Sequence, residues 1–184
     1  MNLWLLGSVV CLQSTVATVV PLLPLHPNVR SFSQGAALAL LLFGLLPQAL
    51  LLCSALVLTP ALVLGIIWSV FIRESVPKSM NAPLLWCLWL MVYTFLQANG
   101  ILPIWSLPYL IPIALALPGF KVSDLLLLLP SILSFALGCL WSVPAKWQGL
   151  LFGVACGMML GCISCRKSQT LAGGIAIGVI LSFL

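Results

Sequence analysis

Charge is what this sequence has least of. Only 5% of its 184 residues are charged, and two acids, Glu74 and Asp124, stand against seven Lys and Arg. A water-soluble domain carries about 25% charged residues, because its surface must face water. With 63% of the chain hydrophobic, the composition leaves too few charges to coat a soluble globule and implies a bilayer as solvent. Histidine is nearly absent as well, with His26 standing alone. Cys162 and Cys165 form one C-x-x-C, but a structural zinc site needs four ligands, and no second pair exists. Neither a metal nor another cofactor is expected. The other cysteines, Cys11, Cys53, Cys87, Cys139 and Cys156, lie in apolar runs, where a free thiol packs as a small hydrophobe.

Further absences narrow the function. There is no Ser/His/Asp set, no H-E-x-x-H, no P-loop and no phosphate-cradling glycine loop. The basic residues form no patch or stripe, which argues against a nucleic-acid partner. The start, "MNLWLLGSVVCLQSTVATVVPLL", lacks the positive region of a signal peptide, so a retained first membrane helix is expected.

Apolar runs long enough to cross roughly 30 Å of hydrocarbon recur along the chain. Prolines, glycines and charges divide it into about eight segments: Leu3 to Leu23; "SFSQGAALALLLF", broken at "GLLPQ"; Ala49 to Ile72, with Pro60 inside; Ala82 to Ala98; Ile101 to Leu117; Asp124 to Trp141; Trp147 to Ser164; and Leu171 onward. Asn99-Gly100 predicts a tight turn. The expectation is an all-α, polytopic integral membrane protein of 6–8 transmembrane helices, one domain over residues 1–184. With eight crossings, Arg30, Arg73, Lys78, Lys121, Arg166 and Lys167 fall on one side and Lys146 on the other. The positive-inside bias makes the first side cytoplasmic and places both termini opposite.

Gly149, Gly153, Gly157 and Gly161 recur at every fourth position, and Gly174 and Gly178 repeat the spacing. Residues four apart share a helix face, and glycine there lets another backbone approach closely. An internal packing seam is expected, with a homo-oligomer through the same glycines as the other use of that face.

The two acids fall near one membrane surface on separate helices. Each has a plain reading: Glu74 as half of a solvated pair with Arg73, and Asp124 as a carboxylate at a helix start. Together they have the arrangement an intramembrane aspartic protease requires, one carboxylate ionised to activate water and one protonated to polarise the amide. Close approach of like charges pushes their pKa values apart to allow this.

The segment "VPKSMNAPLLW", residues 76 to 86, resembles the stretch after the first catalytic aspartate of the bacterial type IV prepilin peptidases. That family reads aspartate, a few residues, Leu/Ile-Pro-Asp/Asn and then a "TLPLLW"-like helix start. "LLFGLLPQALLLCSALVLTPALVLGI" looks like the preceding helix pair, and "KVSDLLLLLPSILSF" stands where the family has Gly-x-Gly-Asp, so that Asp124 matches the second aspartate. "QTLAGGIAIGVILSF" resembles the family's last helix in placement, and the likeness runs over residues 31–184. It implies leader cleavage of pilin-like precursors at the cytoplasmic face of the bacterial inner membrane, for pilus or type II secretion assembly. Several positions depart from the pattern. Val70 stands where the first aspartate belongs, Lys121 and Ser123 replace the motif glycines, and Leu126 replaces a basic residue. The four-cysteine zinc module is missing. Glu74, one turn beyond Val70, is the candidate substitute, giving Glu74 and Asp124 as the expected catalytic pair. Two other outcomes stay open: an inactive homologue that binds pilin-like helices, and a small polytopic transporter or assembly subunit outside the family.

Overall fold

The computed structural model describes residues 3–23, 26–103, 106–117, 121, 126, 128–163, 174, 177 and 178. Among these every regular element is helical. In chain order they are α1 (Leu3–Val19), α2 (Pro27–Ala39), α3 (Leu46–Leu52), α4 (Ala55–Ser75), α5 (Lys78–Ala98), α6 (Leu107–Ala116), α7 (Leu128–Leu140) and α8 (Ala145–Cys162), with a 3₁₀ turn after α1.

Pro47 was expected to end a helix at "GLLPQ", but the chain continues helically from Pro27 to Leu52. The backbone widens into a π-helical turn over Leu40–Leu45, and the Leu46 amide donates to the Leu41 carbonyl, five residues back. Proline lacks an N–H and its ring collides with the carbonyl four residues earlier; the wider register relieves both conflicts. The break falls later, at Cys53-Ser54. Likewise the charged stretch after Ile72 is hardly a loop. α4 runs to Ser75 and α5 starts at Lys78, leaving Val76-Pro77 between them.

The predicted turn at Asn99-Gly100 is a Schellman end to α5. Gly100 adopts φ +73°, its amide donates to the Gln97 carbonyl, and the Ile101 amide donates to the Leu96 carbonyl. This left-handed position is one that glycine occupies without a Cβ penalty.

Packing fixes the helix directions. Along α8, Gly149 abuts Cys53, Gly153 abuts Leu58 and Ala61, Gly157 abuts the Leu62 backbone, and Gly161 abuts Ser69. The partner number rises with the glycine number, so α4 and α8 run parallel. Gly65 of α4 returns the contact against Val154, Gly157 and Met158. The glycine face is therefore filled by α4 of the same chain, and self-association through it would require α4 to leave. Gly174 and Gly178 pack in the same manner on Phe32, Ala36 and Ala39 of α2.

α7 lies parallel to α5: Gly138 meets Phe95 and Ala98, Thr94 donates to the Ser131 carbonyl and Ser134 to the Met91 carbonyl. α1 runs antiparallel to α5, because Gln13 bonds Gln97 while Thr18 bonds Trp86. Arg73 thus lies at one end of the bundle and Lys146 at the other.

Four described helices are long and apolar enough to cross a membrane: Leu5–Leu22, Pro27–Leu52, Ala55–Ser75 and Ser79–Ala98. That is fewer than the 6–8 expected from the apolar runs. At 1.5 Å per residue, α6 with 10 residues and α7 with 13 reach only about 15 and 20 Å, short of the hydrocarbon thickness.

Candidate functional site

Of the expected carboxylate pair, the structure describes Glu74; Asp124 lies outside the described residues. Glu74 is exposed in the last turns of α4. One helical turn apart along the same face come Ile66 and Val70, 40% and 44% exposed, whereas Gly65, Ser69 and Ile72 point inward. Val70, where the resemblance leads us to expect an aspartate, lies on the outward side of α4, and Glu74 continues that side.

Arg73 plays a different part. Its guanidinium Nη1 donates to the Gly161 carbonyl at 3.0 Å, one of the last carbonyls of α8, which have no partner inside their own helix. A cation there also complements the negative end of the helix dipole. Asn81 in turn donates to the Arg73 carbonyl at 3.2 Å. These bonds tie the ends of α4 and α8 and the start of α5 into one corner.

The most connected polar site lies at the opposite end of α5, where the sequence singled out nothing. Gln13, Gln97 and Ser106 are almost fully buried. Gln13 Nε2 donates to Gln97 Oε1 at 3.0 Å. Gln97 Nε2 donates to the Pro103 carbonyl and to Ser106 Oγ, both at 2.9 Å. The Ser106 amide and hydroxyl both donate to Gln13 Oε1 at 3.2 Å. The ring of bonds closes on itself and joins α1, α5 and the start of α6. Beside it Asn99 donates to the Phe95 and Gly138 carbonyls, and Gln148 donates to Asn99 Oδ1 and to the Val143 carbonyl. The signal for these residues was present: each is an amide or hydroxyl in or beside a long apolar run, where a polar group must find an internal partner.

An aromatic stack lies along α5 between the two ends. Trp86 and Trp89 lie 5.4 Å apart at 19°, Trp89 and Tyr93 4.8 Å apart at 28°, offset geometries in the favourable range. Trp86 Nε1 donates to Thr18 Oγ1. All three rings are buried.

No family model, no curated protein and no solved structure matches this chain.

The interior is mostly apolar, as in a protein folded in water, but it also holds uncharged polar side chains, and much of the surface is apolar. Gln13, Ser14, Thr18, Ser69, Thr94, Gln97, Ser106 and Ser131 are inside, while Leu56, Leu64, Ile67, Trp68, Phe71, Leu129, Leu133 and Leu140 are exposed. Several apolar helices with such faces fit a membrane-embedded protein. Among the described residues no three of His, Cys, Asp and Glu come together, and six cysteines are free thiols.

Proposed function

We propose that the chain is a polytopic integral membrane protein of prepilin peptidase-like architecture that binds the apolar helix of pilin-like precursors without cutting the leader. The membrane part of this reading draws on the four helices of spanning length and on the exposed apolar faces of α4 and α7. In water such contiguous apolar surface would drive aggregation; in lipid it needs no partner.

The observation that carries the non-cleaving reading is the outward face of α4. Hydrolysis by two carboxylates needs both within reach of one water and one amide, and a misplacement of about 1 Å can cost a hundredfold in rate. Val70 holds the expected aspartate position, and Glu74, the one acid among the described residues, lies a turn further along the exposed side. The collinear resemblance over residues 31–184 supplies the substrate class, and the bacterial inner membrane follows from it.

The test is a leader-cleavage and crosslinking assay in membranes, with an active prepilin peptidase cutting the same precursor in parallel. Wild-type protein is expected to crosslink the precursor and leave its leader intact. Cleavage by wild type that disappears in both Glu74→Gln and Asp124→Asn would instead establish a working Glu/Asp protease. Failure to crosslink would remove pilin-like precursors as partners.

A further inference from the structure

Two hydroxyls in the core of this chain make no hydrogen bond of full geometry: Ser14 Oγ on α1 and Tyr93 Oη on α5. Their residues are 2% and 1% exposed, so bulk solvent does not reach them. Leaving a buried hydroxyl unsatisfied costs about 1–3 kcal/mol, and such a group requires an explanation.

Ser14 differs from the rest of its helix. Ser8 donates to the Leu5 carbonyl, Thr15 to the Cys11 carbonyl and Thr18 to the Ser14 carbonyl. Those three hydroxyls are satisfied by their own backbone in the way usual for Ser and Thr within helices. Ser14 alone among the α1 hydroxyls makes no such bond.

Register brings the two orphans together. The Gln13–Gln97 and Thr18–Trp86 bonds bracket one strip of the α1–α5 interface. Ser14 is one turn before Thr18 and so shares its face; Tyr93 is one turn before Gln97 and two turns after Trp86. Both fall on the bracketed strip and between its ends. Ser106 approaches the Tyr93 hydroxyl as a hydrogen-bonding side chain, short of full hydrogen-bond geometry. Its own hydroxyl donates once, to Gln13, and accepts once, from Gln97, which leaves one lone pair open.

The structure assigns to this junction a binding site for one internal water, held by the Ser14 and Tyr93 hydroxyls beside Ser106. A buried water makes 2–4 hydrogen bonds to polar groups that otherwise lack partners, and this strip offers three. The chemistry of the lining selects a neutral ligand. Gln13, Ser14, Tyr93, Gln97 and Ser106 carry no charge, and an ion moved there would face the full desolvation cost without a counter-charge. The water would reinforce the approach of Ser106 to Tyr93 and bring Ser14 into the Gln13–Gln97–Ser106 ring.

X-ray hydroxyl-radical footprinting of the wild-type protein in nanodiscs tests the assignment without any variant. Radicals form from bound water, so Tyr93 should be oxidised despite its burial, while Phe152, also 1% exposed, should not. In Ser14→Ala the Tyr93 signal should fall severalfold. Absence of Tyr93 oxidation in the wild type would overturn the site. A second arm is the double-mutant cycle of Ser14→Ala and Tyr93→Phe, read by equilibrium unfolding. Each single change should raise the unfolding constant by about threefold to twentyfold, the range of membrane hydrogen bonds, and the double variant should be scarcely worse than the worse single. Multiplying effects, or variants as stable as wild type, would contradict a shared water.

Discussion

Replacing Gly157 with alanine should separate α4 from α8. A Cβ at Gly157 would meet the Leu62 backbone, with the carbonyl oxygen well inside van der Waals distance and the C and Cα atoms at 3.0 Å. Backbone cannot rotate away as a side chain can, so the helices must move apart by more than about 1 Å. A radial gap of about 0.5–1 Å already forfeits a quarter to a half of each contact's attraction, and overpacking of this kind costs about 1–3 kcal/mol. Against that stands the helix propensity of alanine over glycine, about 1 kcal/mol in the other direction. The net expectation is a loss in the upper part of the remaining range of up to about 2 kcal/mol, because a backbone contact cannot yield. Gly153→Ala should cost less, because its nearest neighbour is the Leu58 Cδ1 tip at 2.6 Å, the movable end of a flexible side chain. Equilibrium unfolding in mixed micelles measures both. A Gly157→Ala protein as stable as wild type, or more so, would refute the close packing of these two helices.

Other perturbations reach the remaining elements. Gln97→Leu removes every side-chain bond that Gln97 makes in the closed ring and strands Gln13 Nε2, so unfolding in micelles should show a loss of about 1–3 kcal/mol. Arg73→Ala removes the cap on the Gly161 carbonyl and should cost about 0.3–1 kcal/mol, with the difference shrinking as salt is raised; a salt-independent effect would argue against a dipole contribution. Gly100→Ala forces a Cβ into a left-handed position at about 1–2 kcal/mol, although nothing lies within 4 Å of that Cβ. Thiol labelling by a membrane-permeant maleimide should modify the half-buried Cys11 and Cys139 in the folded protein and reach the fully buried Cys156 only after unfolding.

The parts of the fold that the sequence made legible are those fixed by local backbone chemistry. Asn99-Gly100 called for a tight turn, and the four-residue glycine period called for a close neighbour on one face of α8. What could not be read was which partner each feature would choose. The glycine period does not say whether its neighbour is α4 or a second copy; the long-range match of Cys53, Leu58, Leu62 and Ser69 to the four glycines decides that. Pro47 misled because a proline breaks an α-helix but is accommodated by a π-turn, and the choice depends on tertiary support for the apolar residues around it.

The candidate site divides in the same way. Glu74 stood out because acids are so rare, yet its outward direction follows from the phase of α4, which Gly65 and Ser69 set by packing on α8. Gln13, Gln97 and Ser106 carried no motif and lie as much as 93 residues apart along the chain. Their apolar surroundings announced that each needs a partner, while the identity of that partner depends on how α1 and α6 dock on α5.

The bilayer embedding of alternating helices is tested most directly by sidedness. Single cysteines introduced as Ser79→Cys, beside the Arg73 corner, and as Lys146→Cys, at the start of α8, would be labelled with an impermeant maleimide in sealed vesicles of a cysteine-free background. The account predicts that the two sites label from opposite faces and that the protein stays with the membrane through an alkaline carbonate wash. Labelling of both from one face, or release by carbonate, would contradict it.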